Sequence, residues 1–73
     1  MRIRYDPSAD ALYIRLREGE IEDSDEVASG IILDLDEAGK PLGIEILDAS
    51  RMLDGTEMKV ELAIAQAGSN RSG

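Results

Sequence analysis

The chain has 73 residues, too few for two independent cores, and a core of this size supplies only about 3–5 kcal/mol, so one domain leaning on some further staple is expected. Cysteine and histidine are both absent, which excludes disulfides, thiolate catalysis and nearly every zinc or haem site, and leaves oligomerisation or hard-cation binding as staples. A net charge of −8, from 16 acidic against 8 basic side chains, repels nucleic-acid phosphates and anionic lipid, so neither is an expected partner.

In chain order, Ile3 and Tyr5 alternate with Arg2 and Arg4, and Leu12, Ile14 and Leu16 alternate with Tyr13, Arg15 and Arg17. Between them, Asp6-Pro7-Ser8-Ala9-Asp10 has turn chemistry, so a β-hairpin is predicted. Residues 18 to 29 are polar, with a short edge strand expected around Asp25 to Ala28 inside a mobile loop. After Gly30, the set Ile31, Leu33, Leu35 and the set Leu42, Ile44, Ile46 flank the turn Glu37-Ala38-Gly39-Lys40, predicting a second hairpin. Asp48 or Ser50 is placed to cap a single helical turn ending near Gly55. Met58, Val60, Leu62 and Ile64 keep period two and favour a final strand, although Asp54-Gly-Thr-Glu57 also resembles a capping box before a helix. Residues 66–73 read as a disordered tail, leaving one domain over 1–65.

The expected fold is therefore α+β and mainly β: a small antiparallel meander of two hairpins, with a short helical turn and a C-terminal strand. Its apolar side chains collect into one layer: Ile3, Tyr5, Leu12, Ile14, Leu16, Ile31, Leu33, Leu35, Leu42, Ile44 and Ile46. One layer needs a cover, so a homo-oligomer is expected, a dimer first. The apolar runs are too short to span a bilayer and the start of the chain does not read as a signal peptide, so a cytoplasmic location is expected.

The opposite sheet face gathers Arg2, Arg4, Arg15 and Arg17 against Asp34, Asp36 and Glu45, a pattern that cross-strand charge pairing accounts for. Asp34-Leu-Asp36-Glu37-Ala38-Gly39 starts like a calcium loop, but Lys40, Pro41 and Leu42 break the ligand series, so a plain turn is expected and no metal or other cofactor. No serine sits in a nucleophile elbow and no catalytic residue is assigned. The one part of the charge excess left for binding is Glu18, Glu20, Glu22, Asp23, Asp25 and Glu26, six carboxylates with no base among them, which would attract a basic protein.

Three blocks, Tyr5-Asp-Pro-Ser-Ala-Asp-Ala-Leu-Tyr-Ile14, Gly30-Ile-Ile-Leu-Asp-Leu-Asp36 and Gly43-Ile-Glu-Ile-Leu-Asp-Ala-Ser50, together resemble the domain-of-unknown-function family numbered 2283. The resemblance covers residues 2 to 50 and implies a short bacterial-type cytoplasmic protein with a small, mostly β domain. It brings no catalytic residues, and it implies an antitoxin-like or inhibitory role beside small toxin-like proteins. The expected function is a non-catalytic interaction module, self-associating and binding a basic partner. The alternative is a small metal-dependent or acid/base enzyme using Asp34, Asp36, Glu45 and Asp48.

Overall fold

Both hairpins form where the alternation placed them, and the structure, a computed structural model, describes residues 1–53 and 59–65. Strands β1 (Arg2–Asp6) and β2 (Ala11–Arg15) pair antiparallel, with Ile3 opposite Ile14 and Tyr5 opposite Leu12. Their link turns on the Asp6 carboxylate, which accepts the Ser8 N–H at 3.0 Å. Strands β4 (Ile31–Leu35) and β5 (Pro41–Leu47) form the second hairpin around Gly39, whose φ of 81° suits glycine. The Asp36 carboxylate closes that turn by accepting the N–H groups of Ala38 and Lys40, both at 2.9 Å.

The acidic stretch contributes a longer strand than expected, β3 (Asp23–Ala28), paired with β4. Asp23, Asp25 and Glu26 are therefore strand residues and not parts of a loop. All five strands are antiparallel, but their order is β1-β2-β5-β4-β3, so β2 lies beside β5 where a sequential meander would have put β3. Composition explains the departure. Strand β5 carries Leu42, Ile44, Ile46 and Leu47 and occupies the centre, whereas DSDEVA is tolerated only at an edge, where water reaches its carboxylates.

The register gives the sheet two distinct faces. One carries Ile3, Tyr5, Leu12, Ile14, Ile44, Ile46, Ile31, Leu33 and Leu35, and the other carries Arg2, Arg4, Tyr13, Arg15, Gly43, Glu45, Ile32 and Asp34. The helical turn α1 (Ala49–Met52) follows β5 and buries Ala49. Its expected cap is corrected: Asp48 has left-handed backbone angles (φ 52°, ψ 46°) and makes no side-chain cap. The capping carboxylate comes from Asp10 in the first turn, accepting the Ser50 N–H at 3.0 Å and the Ser50 hydroxyl at 2.7 Å. Asp10 also takes the Tyr5 hydroxyl at 2.7 Å, and its carbonyl takes the Ala49 N–H, so one residue ties α1 to the first hairpin.

The expected C-terminal strand is not formed among the described residues. Residues 59–65 are irregular and exposed, with Val60, Leu62 and Ile64 at 64%, 78% and 86% of full exposure. Alternation supplies a pattern but no partner, and neither open edge of the sheet pairs with this segment. Met58, the proposed capping box over 54–57 and the expected tail over 66–73 lie outside the described residues.

Candidate functional site

On the polar face the central strands bring together a compact group. Gly43 of β5 is flanked by Arg15 of β2 and Asp34 of β4, and Glu45 by Tyr13 and Ile32. The missing side chain at Gly43 leaves room for the Tyr13 ring: a Cβ there would stand 2.5 Å from the phenolic oxygen and 2.8 Å from Cζ. Tyr13 in turn accepts from Arg15 Nη1 at 3.0 Å, and Arg15 Nη2 donates to the Gly19 carbonyl at 2.5 Å. The Arg15 side chain is only 13% exposed, and its Nε is buried with no hydrogen-bond partner among the described residues.

Asp34 is the one buried charged residue among those described, at 2% exposure, and it accepts the Ser24 hydroxyl at 2.8 Å. Its second neighbour is another acid. A hydrogen bond to Asp34, burial and the Asp34 charge push the Glu45 carboxyl up to about 7. Two adjoining carboxyls that cannot both ionise cheaply share a proton, so this pair exchanges one near neutral pH. The expected solvent-facing pairing of Asp34 and Glu45 with arginines is thus corrected: these acids pair with each other. Of the expected pairs only Arg17 and Asp36 form a close ion pair, at 2.6 Å and just beyond the ends of β2 and β4, and its hydrogen bond holds Asp36 below the ordinary carboxylate range.

The six carboxylates singled out for partner binding are all exposed but do not make one patch. Glu18, Glu20 and Glu22 lie on the link into β3, where Glu18 sits 3.6 Å from Arg2 and 3.9 Å from Arg15. Asp23 and Asp25 stand opposite Leu35 and Leu33, at the border of the apolar face. Glu26 lies on the polar side, its carboxylate accepting the Gly30 N–H at 3.0 Å.

The apolar face is largely open. Among its residues only Leu12 is buried, at 7%, while Ile3 and Tyr5 stand at 42% and 37%. The remaining buried hydrophobic residues described, Leu42 and Ala49, lie beside the Gly19 link and in α1. The family described as Protein of unknown function (DUF2283) matches residues 2–50. The chain belongs to that family.

The matched span holds all five strands, the Tyr13-Arg15-Asp34-Glu45 group and every residue of the acidic run, while residues 59–65 fall beyond it. No curated protein and no solved structure matches the chain. Within the DUF2283 span the functional interest of Asp10, Gly43 and the Asp34–Glu45 contact was missed by residue-type reasoning. Gly43 carried the usable signal, because an isolated glycine inside a strand marks a close approach by a neighbour.

Proposed function

We propose that the chain is a non-catalytic interaction module that pairs with a second copy of itself through the apolar sheet face and offers its acidic border to a basic protein. The observation that carries the pairing is the uncovered face. A half-apolar sheet gains stability only when that face is removed from water, and α1 is too short to cover it. Sedimentation equilibrium at micromolar concentration is expected to return a dimer, and a monomer throughout overturns the pairing.

The basic partner is supported by Glu20, Glu22, Asp23, Asp25 and Glu26, none of which is held in an ion pair among the described residues. An inhibitory, antitoxin-like role follows if that partner is toxic. Co-purification from the native host is expected to recover a basic protein, and to lose it when Glu20, Glu22, Asp23 and Asp25 are neutralised. Recovery of this chain alone overturns that half of the proposal.

A second reading, acid/base catalysis, draws on Glu45, whose proton is exchangeable near neutral pH. Of the other three acids of the expected set, Asp34 adjoins Glu45, while Asp36 serves in its turn and Asp48 through its backbone carbonyl. A turnover that vanishes in Glu45→Gln, with fold and dimer intact, would favour this reading over the module.

A further inference from the structure

The arginines of the first hairpin are left without the acids that the charge pattern offers them. The strand order sets β1 two strands from β5 and three from β4, which at about 4.8 Å a step puts its backbone about 10 Å from that of Glu45 and about 14 Å from that of Asp34. Those two acids are also engaged with each other. Register then places Arg2 directly opposite Arg15 on the polar face, with Arg4 two residues on, a like-charge arrangement that costs stability unless an anion answers it. Arg15 is spent on Tyr13 and the Gly19 carbonyl. Arg4 is in no ion pair among the described residues, and Arg2 meets one acid, Glu18, at 3.6 Å. The same Glu18 stands 3.9 Å from Arg15, so a carboxylate of the chain already hangs over the cluster, beyond hydrogen-bonding distance and 80% exposed.

Two hollows adjoin these arginines. Arg2, Arg4 and Tyr13 line a recess of about 80 Å³, well under the about 300 Å³ at which whole-ligand sites begin, so it takes a head group alone. Arg4 and Tyr13 also line a wider hollow of about 400 Å³ with Pro7 and Ala11, room for a compact apolar body. We infer that the polar face of the first hairpin binds a phosphate monoester carried on such a body, its head between Arg2 and Arg4 and its body along Tyr13 toward Pro7 and Ala11. Two guanidinium forks match the three terminal oxygens and nearly double negative charge of a phosphate monoester better than the single charge of a carboxylate. Asp6 borders the wider hollow and turns away a second anionic group, so the ligand is charged at one end only. Glu18 is the internal competitor that the phosphate displaces from Arg2, at little cost because an exposed pair at that distance is weak. The site lies on the face opposite the proposed pairing surface and does not depend on it.

Amide chemical shifts of the full chain, titrated at low salt with phenyl phosphate, benzoate and inorganic phosphate, test the site. Phenyl phosphate is expected to give saturable shifts centred on Arg2, Arg4, Ala11 and Tyr13, and to bind more tightly than either other probe. No saturation, or shifts spread over the whole sheet, overturns the site. Benzoate binding as tightly overturns the phosphate head, and inorganic phosphate binding as tightly overturns the place given to the body. Arg4→Gln is expected to weaken phenyl phosphate about fivefold with the urea midpoint unchanged, and undiminished binding overturns the role of Arg4. Glu18→Gln is expected to tighten binding about two- to fivefold, whereas Glu20→Gln, the same change of net charge away from the arginines, leaves it as it was. An equal gain in both variants overturns the local site, because the overall charge of the chain would then be the cause.

Discussion

Asp34 and Glu45 set how the fold responds to pH, because a proton held between two carboxyls belongs to the folded state alone. The unfolded chain releases the Glu45 proton near its ordinary value of 4.5, whereas the folded chain keeps it until about 7. The folded state therefore binds more protons across that window. Its stability is full below 4.5 and falls as pH rises through 7. For a half-buried side chain, screened in part by water, the loss is about 1–2 kcal/mol. Urea denaturation at several pH values is expected to show the midpoint falling toward alkaline pH, and Glu45→Gln is expected to flatten that fall. An equally steep fall in the variant rules the pair out as its cause. Asp10 and Asp36 act in the opposite window: hydrogen bonds from Tyr5 and from Arg17, respectively, hold them below 3.8, so their contribution is lost on strong acidification. Beside the pair, Gly43→Ala would drive a methyl into the Tyr13 ring, and a cost of about 1–3 kcal/mol is expected. Adding Tyr13→Ala should recover part of that loss. An additive double variant would show that the contact does not limit position 43. Alternation assigns Asp34 and Glu45 to the polar face, but nothing in the residue pattern marks them as burying a contact. That contact depends on the relative placement of β4 and β5 and on the gap at Gly43.

At the scale of elements, α1 shows where local reasoning stops. Asp48 precedes the turn as a capping residue should, yet the cap comes from Asp10, 40 residues before Ser50 in sequence and brought close by the first hairpin. Asp10→Ala removes acceptors for Ser50 and Tyr5 together, and a loss of about 1–2 kcal/mol is expected in thermal or urea unfolding. Asp48→Gly should be neutral or stabilising, because glycine adopts the left-handed angles of position 48 without a Cβ penalty. Equal losses at the two positions would refute the assignment. The hairpins were legible because each is a local alternation around a turn, with Asp6-Pro7 in one and Gly39 in the other. The strand order was not, since the choice between β3 and β5 as the neighbour of β2 is made by burial across the whole sheet. The C-terminal segment shows the same limit from the other side: Val60, Leu62 and Ile64 keep a strand period and still form no strand among the described residues.

For the whole molecule, the proposed pairing through the open apolar face would couple folding to assembly. A protomer with Leu12, Leu42 and Ala49 as its buried hydrophobic residues, among those described, has little core of its own. If the second copy supplies the missing cover, unfolding and dissociation become one event, and stability depends on concentration. Each tenfold rise in protein then adds about 1.4 kcal/mol to the unfolding free energy of the pair. For a dimer of this size that corresponds to a rise of about 3–6 °C in melting temperature. Scans over a hundredfold range of concentration are expected to show a steady upward shift with a single transition. A midpoint that ignores concentration would mean that the half-buried sheet is stable alone, and the apolar face would then be free for a partner other than a second copy.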